Sequence, residues 1–292
     1  MLALATAIIL VIALWRAYVI APWTRDGRVS VHVVRIAPEV SGTVTAVEVQ
    51  DNQWVKKDDV LYRIDPERFE LAVAQAKAQL DASTETLMQR KDETRRRTGL
   101  DDIVPKEDIE RSGRAVAIAL ADVQKARAAL DVAELNLRRS VLRAPVDGFV
   151  NHLRLRQGDY AVAGSPNMAV VDTGSFWITG YFEETKLRKI HAGDAAQIKL
   201  MGFPQPLTGH VVSIGRGISD DNDSQSGDGL PAVNPTFSWV RLAQRIPVHI
   251  AIDTLPDNVV LAAGMTTSID IYEPGEEAGS HGRLLQWLHA VM

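Results

Sequence analysis

Ile36–Asp65 reads IAPEVSGTVTAVEVQDNQWVKKDDVLYRID, and Arg143–Asp172 answers it with RAPVDGFVNHLRLRQGDYAVAGSPNMAVVD. Set side by side, Ala37-Pro38 falls on Ala144-Pro145, Gly42 on Gly148 and Val44 on Val150. Asp51-Asn52 then falls on Gly158-Asp159, Val55 on Val162, Leu61 on Met168 and Asp65 on Asp172, with one residue of slippage. Val44, Val47 and Val49, then Val60, Leu61 and Ile64, supply half-buried strands, and the Asp-Asn and Gly-Asp pairs supply turns. Neither copy carries enough apolar surface for a core of its own. Two together close a small sandwich.

Between the copies the period changes. Phe69, Val73, Ala76, Leu80, Ser83 and Leu87 alternate spacings of four and three, which is a heptad seam. Ile109, Ser112, Val116, Ala119, Val123, Ala126, Leu130, Ala133 and Leu137 repeat it on the way back. Pro66 suits a first helical turn, and Gly99 with Pro105 breaks the run near its middle. Each arm, about 33 to 35 residues, spans roughly 50 Å. Because the arms begin and end beside paired half-motifs, they run antiparallel, and small seam residues let them approach closely. The pattern predicts a coiled-coil hairpin over 66–140, inserted into a sandwich made of 36–65 plus 141–172.

The flanks complete the architecture. Met1–Leu14 has no charge, Trp15 and Arg16 follow, and Ala17–Trp23 is again apolar. A helix of about 22 residues rises roughly 33 Å, enough to cross a bilayer core of roughly 30 Å. A cleaved signal peptide fits less well, because the small-residue site at Val19–Ala21 is followed by Pro22. The expectation is a transmembrane anchor over 1–23, then a linker and strand over 24–35 that joins the barrel region. Beyond Asp172, strands are expected at Phe176–Phe182, Ala195–Leu200, His210–Ile214, Val240–Ile252 and Thr266–Tyr272, forming a small β-barrel over 173–273. Ser219–Asn234 is acidic and rich in Gly and Ser, which predicts a mobile loop. The tail, 274–292, forms either a short amphipathic turn or two, or a frayed end. The fold class expected is mainly β with a long helical hairpin.

Composition narrows the function. A net charge of −5 and a pI near 5.8 argue against nucleic acid as a partner. The absence of cysteine removes disulfides, thiolate metal sites and thiol nucleophiles together. His32, His152, His191, His210, His249, His281 and His289 show no HxH or HExxH spacing, so nothing supports a metal. Gly215-Arg216-Gly217 lacks the strand-to-helix setting of a nucleotide fingerprint. In Asp220–Gly229 Ser226 stands where a calcium loop needs its sharp-turn glycine, which leaves a solvated loop. A swinging-arm carrier needs a lysine on the turn between its two half-motifs. Here that place holds Asp65-Pro66-Glu67, with Lys56 and Lys57 earlier in the chain. No cofactor is expected, and no catalysis.

Anchor, split β-unit, hairpin and barrel in this order resemble the HlyD-type periplasmic adaptors, or membrane fusion proteins, and the split unit resembles a biotinyl-lipoyl domain. Three runs, PWTRDGRV (Pro22–Val29), YFEETKL (Tyr181–Leu187) and WVRLAQRIPVHI (Trp239–Ile250), are similar to the adaptor branch of p-hydroxybenzoate (aromatic carboxylic acid) efflux pumps. Multidrug adaptors of major-facilitator pumps share part of the last run, and the same build serves protein-secretion adaptors. The resemblance implies an inner-membrane location with the bulk of the chain in the periplasm. It also implies an inner-membrane permease partner, an outer-membrane channel partner and homo-oligomerisation into a ring or funnel.

Two surfaces are candidates for partner contact. At the hairpin tip the family pattern of Arg, Leu, then Ser meets Arg95, Arg96, Arg97 and Leu100, but Pro105 stands where the Ser is expected. Two alternatives are a different polar tip, built with Asp101 and Asp102, and a plain solvated helix end. On the barrel, Glu183, Glu184, Trp239, Arg241 and Arg245 mix aromatic and charged groups, as suits a face turned to a partner.

Overall fold

The two quoted stretches knit into one body. A computed structural model of the chain describes residues 21–98, 105–218, 243–256 and 258–272. Their contacts divide into two compact units, Val33–Gly174 on one side and Met1–His32 with Ser175–Met292 on the other. In the first unit, strands β2 (Val33–Ile36), β3 (Gly42–Val47), β4 (Trp54–Val55) and β5 (Val60–Ile64) precede helices α1 (Glu67–Thr98) and α2 (Lys106–Arg139). Strands β6 (Val141–Arg143), β7 (Gly148–Asn151), β8 (Tyr160–Ala161) and β9 (Met168–Asp172) follow. The sheets are β2-β9-β7-β4 and β6-β5-β3-β8, so each takes two strands from either half of the chain. Exchanging the halves strand for strand, β2 with β6 through β5 with β9, turns one sheet into the other.

That exchange corrects the alignment. The halves are related by a constant shift of 106 positions (42 to 148, 52 to 158, 58 to 164), with no slippage. Asn52 N donates to Val150 O at 2.8 Å, and Gly158 N donates to Val44 O at 2.9 Å. Asp58 N donates to Ala144 O and Gly164 N to Pro38 O, both at 2.8 Å. Asn52, Asp58, Gly158 and Gly164 all have positive φ, so these four left-handed residues coincide at the same shift, and among the described residues of this unit His152 alone has no left-handed mate. Val55 therefore answers to Ala161, not Val162, and Met168 to Tyr62, not Leu61. Ala161 is buried while Val162 faces solvent, as expected when a strand is read one residue out of step. The strand β2 also starts at Val33, three residues ahead of the expected beginning of the motif.

The hairpin leaves the sandwich after β5 and returns at β6, two strands that pair side by side (Arg63 opposite Val141). Its feet are thereby held together. Helices of 32 and 34 residues are roughly 48 and 51 Å long. Every residue assigned to the seam is buried or half-buried, from Phe69 to Leu87 and from Ile109 to Leu137. Thr94 Oγ1 donates to the carbonyl of Ser112 across the seam, fixing the antiparallel register near the tip.

The second unit is a closed six-stranded barrel in the order β1-β10-β13-β12-β11-β14. It comprises β1 (Trp23–Ser30), β10 (Trp177–Glu183), β11 (Ala195–Leu200), β12 (Leu207–Ile214), β13 (Arg245–Thr254) and β14 (Thr266–Tyr272). A 3-10 helix, Glu184–Lys189, follows β10. Trp23 opens β1 and pairs with Asp270, so the barrel starts inside the stretch assigned to the anchor. Ile178, Phe182, Ile198, Leu200, Leu207, Val248, Ile250 and Ile269 fill the core. Gly27 lies opposite Gly180; a Cβ on Gly27 would strike Thr267 Oγ1, and one on Gly180 would strike Ile269 Cδ1, both on β14. Among the described residues no helix is long and apolar enough to cross a membrane. The rest of the anchor expectation, the acidic Ser219–Asn234 loop and the tail lie outside the described residues.

Candidate functional site

Two of the singled-out sequence runs, about 155 residues apart, meet at one end of the barrel. Thr24 Oγ1 donates to the carbonyl of Tyr181 at 2.7 Å, tying β1 to the end of β10. Arg245, first residue of β13, donates to Asp26 Oδ2 at 2.6 Å. Glu184 N donates to Gln244 O at 2.9 Å, which closes the corner where β10 passes into the 3-10 helix. A cleft of about 580 Å³ results, lined by Trp23, Thr24, Arg25, Asp26, Tyr181, Glu183, Thr185, Lys186 and Arg245.

Lys186 is the unusual residue here, because a buried ammonium must find compensation. It is 9% exposed, and its Nζ donates to the carbonyl of Trp23 at 3.1 Å. The same nitrogen lies 4.8 Å from the centroid of the Trp23 ring, a cation–π contact. Its nearest carboxylate, Glu183, stands at 4.0 Å, the outer limit of an ion pair. Arg25 also approaches the Trp23 ring, at 5.6 Å, and makes no ion pair among the described residues. The cleft thus sets an indole beside two cations, Lys186 with Glu183 at the limit of an ion pair and Arg25 without one, while Arg245 and Asp26 cancel each other.

Of the barrel candidates, Glu183 and Arg245 line this cleft, and Glu184 is exposed at its rim. Trp239 and Arg241 lie outside the described residues. Trp23, Arg25 and Asp26 are not among the candidate residues. The cleft's signal was present in the runs PWTRDGRV and YFEETKL, but only the pairing of β1 with β10 brings those runs together.

At the other candidate surface, Arg95, Arg96 and Arg97 form the last turn of α1, where cations complement the helix dipole. Arg97 pairs with Glu93 at 2.6 Å and Arg95 more loosely with Asp92 at 3.9 Å, while Arg96 is exposed and unpaired among the described residues. Pro105 immediately precedes α2, with an extended ψ of 138° that starts the helix. Leu100, Asp101 and Asp102 lie outside the described residues. Among the described residues no group of three or more His, Asp or Glu side chains could hold a metal ion.

Comparison with known proteins follows the same division. Residues 32–173 match the RND MFP barrel-sandwich hybrid domain, and residues 175–272 match the AAEA-like beta-barrel domain. The uncharacterized protein YdhJ of Escherichia coli (strain K12) is 42% identical over 259 residues, covering 88% of this chain and 91% of its own length. The membrane fusion protein Spr0693 from Streptococcus pneumoniae R6 superposes with a TM-score of 0.63 at 12% identity, over 86% of this chain and 99% of that one. A MacA–MexA chimera carrying the Pseudomonas aeruginosa MexA α-hairpin domain gives a TM-score of 0.63 at 22% identity, over 87% of this chain and 83% of its own. At those identities the structural likeness speaks for the fold.

Proposed function

We propose, from the premise that this chain belongs to the membrane fusion protein family of HlyD-type adaptors, that it joins an inner-membrane permease to an outer-membrane channel in a tripartite efflux pump. Members of this family are non-enzymatic structural subunits of transporters. The observation that carries the reading is the hairpin rooted between β5 and β6: a rod of roughly 50 Å whose feet are clamped in a sandwich. Such a rod serves reach and contact rather than bond-making. In this reading residues 1–20 anchor the chain in the inner membrane, the rest lies in the periplasm, and copies assemble into a ring. Energy comes from the permease.

The cargo proposed is aromatic carboxylic acids or similar small toxic compounds, supported by the match of residues 175–272 to the AAEA-like barrel and by the three sequence runs. The hairpin tip around Arg95–Arg97 is proposed as the channel contact, and the barrel corner at Glu183, Glu184 and Arg245 as the permease-side surface. The test is crosslinking in intact cells, followed by identification of what is bound at each end. Leu130→Asp places a carboxylate in the seam and is expected to abolish export. Wild-type export from that variant, or a deletion strain as resistant to aromatic acids as its parent, contradicts this reading.

A further inference from the structure

The barrel cleft has a position as well as a chemistry. The apolar run of the amino end reaches Trp23, yet the barrel already holds the chain one residue earlier: Pro22 O accepts from Ile271 N at 3.1 Å. From residue 20 to Pro22 an extended chain covers no more than about 7 Å. If residues 1–20 span the membrane, as proposed above, there is no linker to lift this end of the barrel away. The headgroup layer on each side of a bilayer is roughly 5 to 8 Å thick. On that reading Trp23, and with it Arg25 and Lys186, falls at its depth.

The chemistry fits that depth. Indole rings favour the membrane–water interface, and Arg and Lys there meet phosphate. Among the residues that line the cleft, Asp26 and Arg245 neutralise each other and Glu183 stands 4.0 Å from Lys186, which leaves one cation in surplus, the exposed Arg25. Arg25 offers a planar fork suited to two oxygens of one phosphate, and Lys186 a point charge held in place by Trp23. Arg28, on the same strand and exposed, does not line the cleft and so provides a built-in control.

We propose that the cleft formed by Trp23, Arg25 and Lys186 binds the phosphate of an anionic phospholipid headgroup in the periplasmic leaflet, seating the barrel on the membrane. The proposal rests on the anchor reading, and the two are tested separately. Carbonate extraction of membranes tests the anchor: a chain released with peripheral proteins overturns both. For a chain that stays in the membrane, native mass spectrometry of the full protein in detergent, given equal phosphatidylglycerol and phosphatidylcholine, counts the lipids retained. Preferential retention of phosphatidylglycerol is expected, reduced about fivefold in Arg25→Gln, the effect of roughly one basic residue at an anionic surface. Arg28→Gln should retain lipid as the wild type does. Equal loss in both arginine variants, or no preference between the lipids, overturns the cleft alone. Displacement of the lipid by excess inorganic phosphate or benzoate, dependent on Arg25, assigns the cleft to a free anion and overturns the lipid. Unchanged lipid with loss of the co-purifying permease in Arg25→Gln assigns it to protein docking and overturns the lipid equally. Because Lys186 is buried, Lys186→Met is informative only alongside an unchanged circular dichroism spectrum, and Arg25→Gln carries the test.

Discussion

The two halves of the sandwich, 33–66 and 139–172, make the same moves and present different surfaces. Inside, the mates Ile36 and Leu142, Val44 and Val150, Val55 and Ala161, Tyr62 and Met168, and Ile64 and Val170 are all 8% exposed or less. Outside, the correspondence breaks. Val33, Val171, Phe149 and Trp54 stand in register across all four strands of one sheet. Val33, Phe149 and Trp54 are each 44–49% exposed. Their mates at the same shift are Arg139, Asp65, Thr43 and Tyr160, three of them polar and the fourth an aromatic with a hydroxyl. Packing geometry holds the interior to the repeat. The surface is released from it, so the asymmetry of the faces carries this protein's own requirements.

The glycine pair breaks the comparison most severely. A Cβ on Gly148 would run into the carbonyl oxygen of Val171, whereas one on Gly42 would meet the Cγ2 methyl of Ile64, a side chain able to move. Gly148→Ala should therefore cost about 3 kcal/mol and Gly42→Ala about 1 kcal/mol in urea unfolding, because only the first forces backbone to shift. Equal costs would mean the halves are packed alike.

Next come the left-handed turns. Gly158 has φ of 93° and nothing near its absent Cβ, so substitution there reports backbone conformation alone. Gly158→Val should cost about 1–2 kcal/mol, while Gly158→Asn, which copies Asn52, should cost less than about 0.5 kcal/mol. A smaller effect separates Tyr62 from Met168. Asn167 Nδ2 donates to the Tyr62 hydroxyl at 2.7 Å, and burial raises that phenol above its ordinary 10.0 despite the hydrogen bond. The folded state favours the neutral phenol, so this contribution is whole below pH 10 and is lost as pH rises through the folded value. Tyr62→Phe should flatten that alkaline decline, and an unchanged slope would exclude Tyr62 as its source. Least of all, Phe149→Thr, which installs the residue of Thr43 on the exposed face, should alter stability by no more than about 0.5 kcal/mol.

Much of this was legible in the sequence, for reasons tied to particular residues. The seam from Phe69 to Leu137 was fully readable because a long heptad pattern averages out local exceptions. The sandwich was readable as a repeat but misaligned by one, since Asp51-Asn52 and Gly158-Asp159 match in composition while the positive φ falls on Asn52 and Gly158. Strands such as Trp54–Val55 and Tyr160–Ala161 are too short to show a period. The cleft was the least visible. Its residues belong to recognisable runs, but Thr24 meets Tyr181 across 157 positions, and only barrel closure determines that contact.

The central claim is that the two distant stretches form one sandwich from which the intervening helices project. The chain has no cysteine, so engineered pairs are unambiguous. Trp54 and Phe149 lie directly opposite on neighbouring strands from different halves, within disulfide reach. Trp54 and Tyr160 are mates on different sheets. After mild oxidation and protease cleavage within the hairpin, the Trp54→Cys/Phe149→Cys protein should migrate as one linked species without reductant, and the Trp54→Cys/Tyr160→Cys protein as two fragments. Two fragments from the first pair, or equal linkage in both, would mean that the halves do not share the sheets described.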